Sequence, residues 1–352
     1  MTSKRRYFVA AGAVGMHVPI GAVYAYSVLT LPLNTLHGWE KSSVTLAFSL
    51  AILLLGLSAA FLGPMVENMG PKKSARLSAA FYATGIAGAG LGVYLGSLPL
   101  FILCYGVIGG IGLGVGYITP VSPLVKWFPD RRGFATGLAV MGFGLGALIF
   151  GPIMVALMGI MAVHKVLWLL ACVYGGMIFA ASFVVAPPPA DMFKNISDDN
   201  KPAMPKGVLA NLSAREALGT KRFYLLWIML FINISCGISI ISVASPISQE
   251  MGGLTVLQAA SLVGMMGLFN GFGRIFWASA SDYIGRSYTF IIFFAFQICA
   301  SFLLTVSSSP LCFRIIMLLI MTCYGGEVTA LPAFTTVLFG VKQLCTITGI
   351  VL

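Results

Sequence analysis

Ten apolar runs, each long enough to cross a bilayer, fall near residues 7–31, 43–66, 75–97, 99–125, 133–158 and 165–187, and then near 223–248, 256–281, 287–307 and 312–338. The hydrocarbon layer is about 30 Å thick and takes about 20 helical residues to span. No water is available inside it to satisfy backbone N–H and C=O groups, so runs of this kind must cross as helices. The pattern predicts an all-α polytopic membrane protein. Only 9% of the residues are charged and 59% are hydrophobic, where a soluble chain carries roughly 25% charged residues. A further apolar stretch begins after Lys342, and its last residues, ITGIVL, read as the start of an eleventh span that would continue past Leu352.

The net charge of +11 would suggest nucleic acid in a soluble protein. Here the cations are sorted by loop. With the N-terminus inside, one side holds 17: Lys4, Arg5, Arg6, Lys72, Lys73, Arg76, Lys126, Arg131, Arg132, Lys194, Lys201, Lys206, Arg215, Lys221, Arg222, Arg286 and Lys342. The other side holds 3, Lys41, Lys165 and Arg314. That bias predicts a cytoplasmic N-terminus. The first run follows Lys4-Arg5-Arg6 and is too long for a signal-peptide core, so it is expected to remain as a span.

The polar stretch 188–222 divides the chain, and the two parts repeat. Arg5-Arg6-Tyr7-Phe8 opens one part and Lys221-Arg222-Phe223-Tyr224 the other; Glu67-x-x-Gly70 is matched by Asp282-x-x-Gly285. Pro120 and Phe128 correspond to Pro332 and Phe339. Matched sites lie on the same side of the membrane, so the repeat is parallel, about an axis along the membrane normal. The expected organisation is a six-helix bundle over 1–187, a cytoplasmic linker over 188–222 and a second, incomplete bundle over 223–352. That is transporter architecture.

Arg274 stands inside the eighth run, eight residues before Asp282, or about 12 Å of helix rise. A cation at that depth costs about 2.5–3.5 kcal/mol on insertion scales, so it faces protein or water and marks an anion site or a buried ion pair. Its planar fork suits a carboxylate, and Asn270 sits one turn away to support it. Glu327, midway along the tenth run, reads either as a proton-coupling carboxyl or as the partner that neutralises Arg274. His17, Gly21 and Tyr24 share one helical face, as a cavity wall or as core packing around a hydrogen-bonded histidine. Tyr117 and Tyr324 could offer hydroxyls to a small anion or simply pack.

Gly106, Gly110 and Gly114, and Gly142 and Gly146, recur every four residues and predict close helix contacts. Asp130, Arg131 and Arg132 read as a gate and topology anchor, or as topology alone. The cysteines lack CxxC pairs and read as apolar packers. No phosphate-binding loop, HExxH or triad context supports ATP-driven transport or an enzyme, and no cofactor, metal or nucleic acid is expected.

Residues 63–73, GPMVENMGPKK, resemble the loop motif of the major facilitator superfamily between its second and third spans, and 278–286, ASASDYIGR, resemble its counterpart after the eighth. In that motif Gly63, Gly70 and Gly285 would turn the chain, while Glu67, Lys72, Lys73, Asp282 and Arg286 would form an inter-helix charge lock. A narrower resemblance rests on KWFPDRRG at 126–133, MGFGLG at 141–146, LFNGFGRIFW at 268–277, LGTKRFYLLW at 218–227 and YGG at 324–326. Together these are similar to the oxalate/formate antiporter family, a relative of the monocarboxylate porters.

The resemblance implies a secondary active transporter of small carboxylate anions, working as a monomer by alternating access in a bacterial inner membrane. It puts Arg274 in the carboxylate clamp, with Tyr24, Tyr117 and Tyr324 around the site and a second clamping cation beyond Leu352. Phe143 and Tyr324 stand where the family has tyrosine and tryptophan, and Glu327 where it has a small polar residue. The competing readings are a proton-coupled monocarboxylate symporter using Glu327, and a non-transporting membrane sensor or inactive fragment.

Overall fold

The computed structural model describes residues 2–120, 123–124, 127–128, 132–187, 212–306, 309–340, 347 and 350–351. Every regular element among them is helical. The helices are α1 (Thr2–Gly21), α2 (Thr30–His37), α3 (Lys41–Tyr94), α4 (Leu98–Phe101), α5 (Gly110–Ile118), α6 (Arg132–Met158) and α7 (Val163–Ala181), followed by α8 (Ala214–Leu218), α9 (Lys221–Ser242), α10 (Ala244–Glu250), α11 (Val256–Ile284), α12 (Arg286–Val306) and α13 (Pro310–Phe339). Nine segments among the described residues are long and apolar enough to cross a membrane. The 27-residue α6 occupies the fifth apolar run, so all ten runs are helical.

By packing, the chain divides into two units, Met1–Pro188 with Ile241–Leu268, and Pro189–Ile240 with Phe269–Leu352. Unit 1 shows why its spans are not straight rods. The first run contains Pro19, which has no N–H to give, and beyond Gly21 the helix tightens into a 3-10 segment, Ala22–Leu29, before α2. The Tyr82 hydroxyl donates to the Pro19 carbonyl at 3.3 Å across this irregular stretch. The fourth run starts with a wide π-helical segment, Ile102–Gly109, and α5 then stops at Ile118, short of the expected 125. Pro120 interrupts the helix there, because it cannot donate to the Gly116 carbonyl four residues back, and helical residues recur at 123–124.

The glycine pattern becomes backbone contact. A Cβ placed on Gly106, Gly110 or Gly114 would stand 3.0, 2.9 and 2.6 Å from the carbonyl oxygens of Ala47, Ala51 and Leu55. Gly142 meets Val14 in the same way at 3.1 Å, and Gly146 meets Val18. Without side chains between them these helices approach closely, which is how membrane helices gain contact when lipid tails are as apolar as leucine. The outward faces carry exposed apolar residues such as Phe61, Ile298 and Phe302, the surface that a bilayer covers.

In unit 2, α8 is closed by a capping box in which Ser213 and Glu216 satisfy each other's backbone N–H groups. Phe223, Leu226, Leu230, Leu331 and Phe339 form its apolar core. Asn233 and Gln297 are buried there and joined by a 2.7 Å amide hydrogen bond.

The repeat is visible in the backbone. α3 contains two spans broken at Gly70 (φ 76°, ψ 163°), and Gly285, its counterpart 215 residues on, has φ 94°. Gly38 and Gly253 are also 215 apart, and both have positive φ, 67° and 61°. A side chain at Gly70 would meet no atom within 4 Å, so the glycine is required by conformation and not by space. Gly70→Ala should therefore destabilise the protein by about 1–3 kcal/mol through backbone strain alone. The check is thermal unfolding in detergent, where an unchanged melting temperature would refute the strained turn.

Candidate functional site

Arg274 lies on α11 within unit 2 and is buried, with 8% of its surface exposed. Its Nε donates to Oδ1 of Asn270, one turn earlier, at 3.3 Å. That bond fixes which way the amide points, since a guanidinium only donates. The Asn270 amide nitrogen is thereby left as a buried donor without a hydrogen-bond partner among the described residues. An unmet buried donor costs about 1–3 kcal/mol.

Glu327 lies on α13 and is fully buried, and neither of its carboxyl oxygens has a hydrogen-bond partner among the described residues. Arg274 and Glu327 are thus not hydrogen-bonded to each other. Tyr324, one turn before Glu327, is buried with its ring laid over Gly237 of α9.

α11 and α13 are positioned by glycines. A Cβ on Gly273 would overlap the Thr322 carbonyl, one on Gly325 would overlap the Asn270 carbonyl, and one on Gly326 would stand 2.6 Å from Cβ of Trp277. The Trp277 indole N–H reaches the Thr322 hydroxyl at 3.4 Å beside this seam. Sequence reasoning did not assign Gly273, Thr322, Gly325 or Gly326 any part in the site. The available signal was small residues, in GFGR and YGG, on the two runs that carry Arg274 and Glu327.

Within unit 1 a second group forms around Phe143 of α6. Its ring centroid lies 5.2 Å from Tyr24, 5.8 Å from Tyr117 and 6.1 Å from His17. His17, Gly21 and Tyr24 do share the face predicted for them, because the Gly21 backbone presses directly on Phe143. His17 is fully buried, and its Nε2 donates to the Tyr117 carbonyl at 3.0 Å. That carbonyl sits in the last turn of α5, among the final carbonyls of a helix that side chains commonly satisfy. Tyr24 and Tyr117 keep partial exposure.

Of the loop-motif residues, Gly63 is helical, Gly70 and Gly285 make the turns, and Lys72 and Lys73 are exposed. Asp130 and Arg131 lie outside the described residues, as do the side chains of Glu67, Arg132, Asp282 and Arg286, so the expected charge lock falls there too.

The family model of the Major Facilitator Superfamily matches residues 7–352. The chain is 26% identical to the MFS-type transporter YhjX of Escherichia coli (strain K12) over 359 residues, covering 99% of this chain and 84% of that one. It is 25% identical to the oxalate:formate antiporter of Oxalobacter formigenes over 346 residues, covering 97% and 79%. Apicoplast pyruvate carrier 1 of Toxoplasma gondii is 24% identical, with 86% of this chain and 64% of the carrier covered. Among solved structures, a bacterial homologue of the human lysosomal transporter Spinster, inward-facing and unoccupied, superposes with a TM-score of 0.73 at 15% identity, covering 99% of this chain and 78% of that one. A D-xylose–proton symporter gives 0.66 at 14% identity, covering 98% and 85%. These two support the fold alone.

The glycine seam gives a direct test. Gly325→Ala should push α11 from α13 and lower stability by about 1–3 kcal/mol, whereas Gly56→Ala, at an open helical position, should be neutral or slightly stabilising. Equal melting temperatures for the two variants would remove the seam.

Proposed function

This chain belongs to the major facilitator superfamily, and on that premise we propose that it is a secondary active transporter of small carboxylate anions, working by oxalate/formate-type exchange. The observation that carries the substrate class is the pairing of a buried guanidinium with a buried amide donor that lacks an acceptor among the described residues, Arg274 and Asn270. A carboxylate offers an oxygen to the amide and negative charge beside the planar guanidinium fork. Similarity to an oxalate:formate antiporter, and to a pyruvate carrier, supports the same class. Tyr24, Tyr117 and Tyr324 are proposed to shape the pathway. The charge bias of the loops supports a cytoplasmic N-terminus, and the bacterial relatives support an inner (plasma) membrane location.

A second reading is favoured by one observation. Among the described residues Glu327 has no hydrogen-bond partner for either carboxyl oxygen, so it is a group in unit 2 that could take up and release a proton with each transport cycle. In that case the protein is a proton-coupled monocarboxylate symporter.

The experiment is uptake of labelled oxalate, formate and pyruvate into proteoliposomes. Arg274→Ala should raise the half-saturating concentration roughly 10- to 100-fold, the equivalent of about 1.5–3 kcal/mol for a charge-assisted hydrogen bond. Arg274→Lys should recover only part of this, because lysine keeps the charge but not the fork. Asn270→Ala should weaken transport several-fold without removing it. Unchanged carboxylate transport by Arg274→Ala would sink the anion-site reading. Glu327→Gln separates the two couplings: under exchange it should leave counter-transport intact, whereas under symport it should abolish uptake driven by a pH gradient.

A further inference from the structure

Where the chain leaves Gly70 and α3 resumes, Pro71 occupies the first helical position, and Lys72, Lys73 and Arg76 follow on the first two turns, all exposed. Among the described residues no carboxylate is paired with them, and the ion pair there joins Lys41 to Glu250 instead. Two of the three cations lean on aromatic rings. Lys72 Nζ lies 5.4 Å from the Phe183 ring centroid, and the Arg76 guanidinium lies 5.2 Å from Phe183 and 5.4 Å from Phe179. Both rings belong to the end of the sixth span and are themselves open, 47% exposed at Phe179 and 60% at Phe183.

The chemistry is layered. Exposed apolar rings at the end of a membrane span lie against acyl chains, and the cations next to them stand at headgroup level. The helix restarted at Pro71 adds the positive end of its dipole on the same side. An arginine fork and a lysine point charge are the pair that proteins use for phosphate. A zwitterionic headgroup brings its own ammonium, whereas an anionic one leaves its phosphodiester charge to be met by the protein. We propose that Lys72, Lys73 and Arg76, with Phe179 and Phe183, form a binding site for the headgroup and upper acyl chain of one anionic phospholipid. The site is separate from the residues assigned to substrate and stands whether or not the carboxylate reading holds.

The test is native mass spectrometry of the full chain in detergent, titrated with phosphatidylglycerol or phosphatidylcholine of the same acyl chains. The wild type should bind one phosphatidylglycerol at least about tenfold more tightly than phosphatidylcholine. The double variant K72Q/R76Q should lose that preference, while Lys165→Gln, an exposed cation at the other end of α7, should keep it. Arg76→Lys should retain most of the binding. If the double variant does not fold, Phe183→Ala takes its place, since it removes the ring that both cations share. Equal affinity for the two lipids, or unaltered phosphatidylglycerol binding by K72Q/R76Q or by Phe183→Ala, overturns the proposal. Displacement of the lipid by an equal concentration of glycerol 3-phosphate would also overturn it, because it would assign the site to a free phosphate ester.

Discussion

The close approach of helix backbones at glycine is the constraint on which the rest of this structure depends. In a bilayer, side-chain burial between helices gains little over burial in lipid, so contact area and fit must do what water exclusion does elsewhere. Unit 1 meets this with Gly106, Gly110 and Gly114 on one helix and Gly142 and Gly146 on another, each lying over a neighbour's carbonyl. Unit 2 meets it with Gly273 and Gly325, while Gly326 makes room for the Trp277 side chain. The functional groups hang from these seams. Asn270 gives its backbone carbonyl to the contact with Gly325 and its side-chain oxygen to Arg274, so the guanidinium is anchored through the same residue that sets the spacing of the two helices.

Much of this was legible in the sequence because it depends on one dimension. Span length, the sorting of charge between loops and the repeat of about 215 residues need only counting along the chain. The glycines at Gly70 and Gly285 were read as turn formers from their motif, and both have the positive φ that a turn of this kind requires. The partner turns at Gly38 and Gly253 carry no motif around them, and only backbone geometry reveals that they correspond.

The parts that sequence reading missed depend on rotation about helix axes. Periodicity put His17, Gly21 and Tyr24 on a common face, but not that the face would be closed by the Phe143 ring. It placed Arg274 and Glu327 in the eighth and tenth runs, but left open whether they meet, because that depends on how α11 and α13 are turned at their contact. The seam fixes the turn, and Glu327 ends without a hydrogen-bond partner among the described residues. The first run tightens after Gly21, just beyond the donor missing at Pro19 and under the pressure of α6. Local propensity does not contain that pressure.

A seam made of glycine also has a mechanical character. Interdigitated side chains act as teeth, so helices joined by them must unmesh before either can shift lengthwise. Bare backbone has no teeth. Pulling two such helices apart forfeits every contact at once, whereas a small axial displacement exchanges one carbonyl neighbour for the next. The glycine seams in each unit are therefore stiff against separation and low in friction along their length, and shape can change there by shear without any core residue leaving its rotamer.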